Sequence, residues 1–249
     1  MDKAAFRRFS VLRDEFRDRV AGWTAALPGL AEAQRALARE AGDDYAVETP
    51  IVYNRALDEV SQDSRIAWVV VADNPGKREQ EAAMNRYLVG RSGQVAQRFF
   101  ARELGVDFRS EVVIINKTPV HTPKTLQLKK LARLYPEAMG ILDESQRFMA
   151  SMVPALQQCF NARIWVMGLS EVKPKGLFEP WQQALAQAYA RDDTAGDRAD
   201  GHRLADGLFG FNHFSMGSFA TDLMRRRRPG ESTPDAVLRI GAENRSRIL

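Results

Sequence analysis

A single cysteine, Cys159, stands in the 249 residues of this chain. That excludes an intramolecular disulfide and any all-protein cysteine cluster, and its apolar neighbours Leu156 and Phe160 mark it as a small buried hydrophobe. Histidine is nearly as scarce. His121, His202 and His213 are scattered along the chain without the spacing of a zinc site. No long apolar stretch is present either: the longest uninterrupted run is Ile66 to Ala72, far short of the roughly 20 residues that span a bilayer. The first residues carry charge and lack the apolar segment of a secretory leader. The absences predict a cytoplasmic protein with no membrane partner. Neither sign of charge dominates, since 36 Lys and Arg against 32 Asp and Glu leave +4; this excess permits nucleic-acid binding without arguing for it. A phosphate-cradling Walker loop is missing too, because Pro75-Gly76-Lys77 has neither the earlier glycine nor a following Ser or Thr.

What is present is an alternation of helices and apolar strands. Phe6, Phe9, Leu12, Phe16, Val20 and Trp23 recur at spacings of three and four, predicting a helix over 3–25 that Leu27-Pro28-Gly29 ends. A second helix is expected at 30–41. Strands are expected at 66–72, 111–116, 163–168 and 208–212, and helices at 93–104 (capped by Ser92 and stopped by Gly105), 125–134, 137–159 (with Pro136 suiting its first turn), 177–190, 217–228 and 234–247. The polar stretch Arg191 to Gly207 is expected to be a mobile surface loop with no catalytic role. No internal repeat is visible and no linker demands a second domain. The fold class expected is α/β: one three-layer α/β/α domain over 1–249 with a central, mostly parallel four-stranded sheet and a helical extension at 1–60.

Chemistry-bearing residues collect at the expected strand ends, where open α/β sheets bind ligands. Ala72-Asp73-Asn74-Pro75-Gly76 follows the first strand, Asn116 closes the second, and His213-Phe214-Ser215 follows the fourth; Tyr87-Leu88-Val89-Gly90-Arg91-Ser92-Gly93 lies between the first two. Taken singly, each has a plain structural explanation. Asp, Asn, Pro and Gly are favoured turn residues, an asparagine can cap a strand, and a glycine-rich segment is an ordinary strand-to-helix connection.

Taken together and in this order, over residues 66–222, the pieces resemble the uracil-DNA glycosylase superfamily. The resemblance implies a metal-independent enzyme that needs no cofactor and hydrolyses the N-glycosidic bond of uracil or another deaminated base in DNA. Asn74 matches the water-positioning asparagine of the branch reading Gly-x-Asn-Pro-Gly, and Asp73 the catalytic carboxylate of the branch reading Gly-Glu-Ala-Pro-Gly. Both of those branches carry glycine where this chain has Ala72. Asn116 matches the asparagine that reads the base edge. His213 matches the histidine that donates to the leaving base, with Ser215 beside it and Phe214 in place of the family's proline. Tyr87 or Leu88 falls at the position of the stacking aromatic, and Gly90 and Ser92 fall in the substrate-binding loop. Gly76 replaces the tyrosine that in the strictest uracil enzymes blocks thymine's methyl group, which implies a roomier pocket. Lys77, Arg91, Met216, Arg225 and Arg226 are the expected DNA contacts, Met216 or Phe219 as an unstacking wedge. The dense run Arg225 to Arg228 suits phosphate neutralisation or a solvated helix end equally. One branch of the superfamily holds an iron–sulfur cluster on four cysteines, which this chain cannot build. Two alternatives remain open: a DNA or abasic-site binding module of the same fold that has lost turnover, and an enzyme acting on free nucleosides or nucleotides.

Overall fold

The computed structural model describes residues 1–194 and 203–249. Four strands, β1 (Trp68–Ala72), β2 (Val112–Asn116), β3 (Arg163–Met167) and β4 (Leu208–Phe211), form one all-parallel sheet in the order β2-β1-β3-β4. Strands buried on both faces read as continuous apolar runs, and this is why Trp68-Val69-Val70-Val71-Ala72 and Val112-Val113-Ile114-Ile115 lack polar alternation.

Alternate residues enter two separate cores. Val69, Val71, Val113, Ile115, Ile164 and Val166 face the layer made by α1 (Lys3–Ala26), α2 (Leu30–Glu40), α4 (Gln127–Leu134), α5 (Ala138–Phe160) and α6 (Glu179–Thr194). Trp68, Val70, Ala72, Val112, Ile114, Trp165 and Met167 face the layer of α3 (Arg91–Phe99), α7 (Ser218–Arg226) and α8 (Thr233–Glu243), where Phe100 and Phe219 pack against Trp165. The fold is therefore three-layered α/β/α with helices at its N-terminus.

Local departures from the sequence reading have simple causes. Ser92 does not cap α3: the helix opens at Arg91 behind Gly90, without a side-chain cap. Leu88 takes a left-handed backbone (φ 51°) and turns the chain early. Gly93 then packs on that turn so closely that a Cβ would lie 1.5 Å from the Leu88 carbonyl oxygen. Pro136 stands ahead of α5, its carbonyl accepting from the amide of Met139 (3.0 Å). Of the expected loop at 191–207, residues through Thr194 continue α6, and an extended Arg203 leads into a 3-10 turn at Leu204–Gly207; residues 195–202 lie outside the described residues.

The strand order reverses between β1 and β3, since β2 lies to one side of β1 while β3 and β4 lie to the other. A crevice at the carboxyl ends of such a pair is where open α/β sheets place their ligands. Asp73 follows β1 and Gly168 follows β3, so both stand at that point.

Candidate active site

Asp73 and Gly168 touch. A Cβ on Gly168 would sit 2.4 Å and 2.7 Å from the two carboxylate oxygens of Asp73, and Gly168 has a left-handed backbone (φ +77°). Only glycine meets both demands. Oδ1 of Asp73 accepts a hydrogen bond from Nζ of Lys117 (2.5 Å), which also donates to the carbonyl of Met167. Lys117 is fully buried, whereas the Asp73 side chain remains 16% exposed. Burial pushes the Lys117 ammonium below the usual lysine range, and the Asp73 charge opposes the shift. At this point the site offers one carboxylate oxygen held from behind and one facing outward.

Asn74 is fully engaged. Its amide donates to the hydroxyl (3.0 Å) and carbonyl (3.1 Å) of Thr122, and its oxygen accepts from the Thr125 hydroxyl (2.9 Å). The carbonyl of Thr122 accepts only, so this network also fixes which way the amide is turned. Asn74 thereby fastens the segment after β2 to the turn after β1. His121 works alongside it: Nδ1 donates to the Pro75 carbonyl (2.9 Å) and Nε2 accepts from the Tyr45 hydroxyl (2.7 Å). Burial lowers the His121 pKa to about 4. Residues from the N-terminal region complete the brace, since Gln34 donates to the carbonyls of Pro50 (2.9 Å) and His121 (2.8 Å) and the Val52 amide donates to the Pro119 carbonyl (2.9 Å).

Asn116 is the opposite case. It ends β2, directly beside Ala72 in the register, and its position in the alternation places it on the same sheet face as Ile114 and Ala72. It is 1% exposed, yet neither its amide nitrogen nor its oxygen has a hydrogen-bond partner. Leaving such groups buried and unpaired costs on the order of 1–3 kcal/mol each.

His213 stands two residues past β4. The backbone N–H of Ser215 donates to Nδ1 (3.1 Å), and the Ser215 hydroxyl lies 2.9 Å from the same nitrogen. A backbone amide can only donate, so in the neutral ring the proton is on Nε2. Burial lowers the His213 pKa; the Asp73 charge opposes this and the Lys117 charge adds to it. The neutral ring therefore offers an Nε2–H donor in the field of the Asp73–Lys117 pair. Phe214, where the resemblance has proline, is buried against Phe219, with ring centroids 4.7 Å apart.

The segment joining β1 to α3 is more deeply packed than the sequence suggests. Tyr87 is buried and donates its hydroxyl to the Val52 carbonyl (2.5 Å), and Leu88 is buried beside it. Arg109 donates to the Leu88 carbonyl (2.7 Å). Glu79 is buried beneath the turn, where Oε2 accepts from the Gly76 amide (3.3 Å), and burial raises its pKa to about 7. Next to Gly76 itself, a Cβ would meet nothing within 4 Å.

The expected DNA contacts divide. Met216 is fully exposed in a left-handed backbone (φ 54°), while Phe219 is core. Arg91 and Arg225 are exposed, Arg225 pairing with Asp222 (3.2 Å). Arg226 is instead drawn into the protein, bonded to Glu243 (2.7 Å) and Asn244 (3.1 Å). Lys77 pairs with Asp43 (2.5 Å) and lies over the Tyr45 ring.

The sequence reading passed over Lys117 and Gly168. Lys117 follows Asn116, so alternation sends it to the opposite face, and a lysine directly after a buried apolar strand was the available signal. A cavity of about 210 Å³ lies along the outer side of β2, lined by Arg86, Arg109 and Ser110 among others; it is set away from the strand ends. Among the described residues no cluster of His, Cys, Asp and Glu is arranged to hold a metal ion, and no helix is long and apolar enough to cross a membrane. Set against models of known protein families and against curated proteins, the sequence matches none of them.

Proposed function

We propose that this chain hydrolyses the N-glycosidic bond of uracil or another deaminated base in DNA, as the resemblance to the uracil-DNA glycosylases implies. The observation that carries the reading is Asn116, a sealed amide with donor and acceptor both unpaired, one strand away from a partly open carboxylate. A base edge that presents an N–H next to a carbonyl satisfies both atoms at once.

In this mechanism the outward oxygen of Asp73 holds a water below the sugar's anomeric carbon. The C1′–N bond breaks as the water oxygen bonds to C1′, Asp73 takes the water proton, and the electron pair leaves on the base. Negative charge reaching the base carbonyl accepts from Nε2–H of His213, while the Asp73 carboxylate faces the positive sugar. Asn74, with its amide committed to Thr122 and Thr125, shapes the turn rather than orienting the water. Met216, exposed just past His213, suits the wedge that unstacks the base, and Arg91 and Arg225 suit phosphate contacts. The open space beside Gly76 suits a pocket not restricted to uracil.

A second reading, DNA binding without turnover, draws on the burial of both Tyr87 and Leu88, which leaves neither side chain presented for stacking. One experiment separates the two. Labelled oligonucleotides carrying uracil, hypoxanthine or xanthine, single- and double-stranded, are incubated with wild type, Asp73→Asn, Asn116→Ala and His213→Ala, and abasic sites are scored by alkaline cleavage. Cleavage by the wild type that all three variants lose is the expected result. Salt-sensitive binding with no cleavage on any substrate would establish the binding module instead.

A further inference from the structure

We infer that Lys117 is a positioning residue that holds Asp73 in the single orientation that leaves one carboxylate oxygen facing the substrate; this rests on the glycosylase reading above. Lysines are almost never fully buried unless paired, and the cage around this one is specific. Nζ donates to Oδ1 of Asp73 and to the Met167 carbonyl, has the Gly168 carbonyl at 3.5 Å, and lies 4.9 Å from the Phe178 ring and 5.7 Å from the Trp181 ring. One side chain from the end of β2 thus crosses under β1 to the end of β3. Gly168 presses on the carboxylate from the remaining side. His213 also lies in the field of the pair.

Stability alone does not account for this arrangement. A buried ion pair replaced by apolar groups of similar volume often leaves a fold no less stable, and the ammonium here lies beside the apolar rings of Phe178 and Trp181. What the ammonium supplies is direction and charge, delivered to the Asp73 carboxylate at the switch point of the sheet. Asn116 and Lys117 are adjacent in sequence and project to opposite faces, so a single strand end serves the base on one side and the carboxylate on the other.

The test is a double-mutant cycle in the full chain, using single-turnover excision from the best oligonucleotide substrate. Lys117→Met is expected to slow excision by about 100-fold, as a misplacement of roughly 1 Å does, and to change oligonucleotide affinity by less than about threefold. In an Asp73→Asn background the same substitution is expected to cost no further rate, because its action passes through Asp73. An equal loss in both backgrounds, or a wild-type rate in Lys117→Met, overturns the inference. Should Lys117→Met fail to fold, carbon NMR of the lysine ε-position decides. With the carboxylate removed in Asp73→Asn, the Lys117 titration is expected to move to lower pH, and an unchanged titration overturns the inference. A wild type that excises nothing from any substrate removes the glycosylase reading, and this role with it, while the NMR titration reports separately whether the pair is coupled.

Discussion

Two segments frame the candidate site, and they are held in different ways. Residues 117–125, after β2, are fastened to their surroundings: Lys117 to the ends of β1 and β3, the Thr118 hydroxyl to Ser145 (2.8 Å), His121 to Pro75 and Tyr45, and Thr122 and Thr125 to Asn74. Residues 213–218, after β4, mostly bond to themselves: Ser215 to His213, and the Ser218 hydroxyl to the His213 carbonyl (2.7 Å). The first segment backs Asp73. The second carries the exposed Met216 and Gly217, both with left-handed backbones, and is anchored through Phe214. The contrast is between a segment tied across the sheet to its neighbours and a segment whose polar bonds are mostly its own.

The largest expected effect breaks the braced half at its chemistry. Asp73→Asn should lower excision by about 1,000-fold, within the range for loss of a general base, as measured by single-turnover kinetics at saturating enzyme. Next comes His121. Its folded pKa of about 4 lies below the ordinary 6.5, so the unfolded chain binds more protons between those values. Its contribution is complete above pH 6.5 and is lost as the pH falls toward 4, by about 3 kcal/mol in all. Glu79, raised from 4.5 to about 7, runs the other way, with full stability below 4.5 that declines as the pH rises through 7. Urea titrations across pH 4–7 should show a weaker acid loss in His121→Gln and a weaker loss toward neutrality in Glu79→Gln.

Asn74→Ala should cost about 2 kcal/mol of stability through its lost hydrogen bonds, read as a lower urea midpoint. A variant with wild-type stability and lost activity would instead return Asn74 to water positioning. In the other half, Met216→Gly relieves the left-handed strain, raising stability by less than about 1 kcal/mol, while weakening duplex binding several-fold. Equal DNA affinity would remove the wedge. The smallest effect belongs to Arg225→Ala: unchanged stability, and a slope of log affinity against log salt reduced by about one.

The sheet and its helices were legible because parallel strands buried on both faces leave unbroken apolar runs, and the amphipathic α1 shows its period plainly. Boundaries slipped where tertiary contact overrode local preference, as at Ser92, where the turn at Leu88 and the close packing of Gly93 start α3 early. The site was legible as residue types at strand ends but not as partnerships. Asp73 and Asn74 are adjacent polar residues in one turn, and nothing in their identities says that one is engaged throughout and the other partly free. That distinction depends on Thr122 and Thr125, some 50 positions away. The brace from Tyr45, Pro50 and Val52 was hidden for the same reason, as was the inward draw of Arg226, which pairs with Glu243 of another helix as well as with Asp222 of its own.

The sealing of Asn116 has a consequence for timing. On the proposed glycosylase reading, a nucleobase would reach that amide only after neighbouring residues yield, so association should proceed in two phases: a bimolecular encounter, then a first-order step whose rate levels off as oligonucleotide concentration rises. Free bases lack the backbone contacts that hold a strand in place during the wait. They should therefore compete feebly, and the spent base should leave without accumulating as an inhibitor.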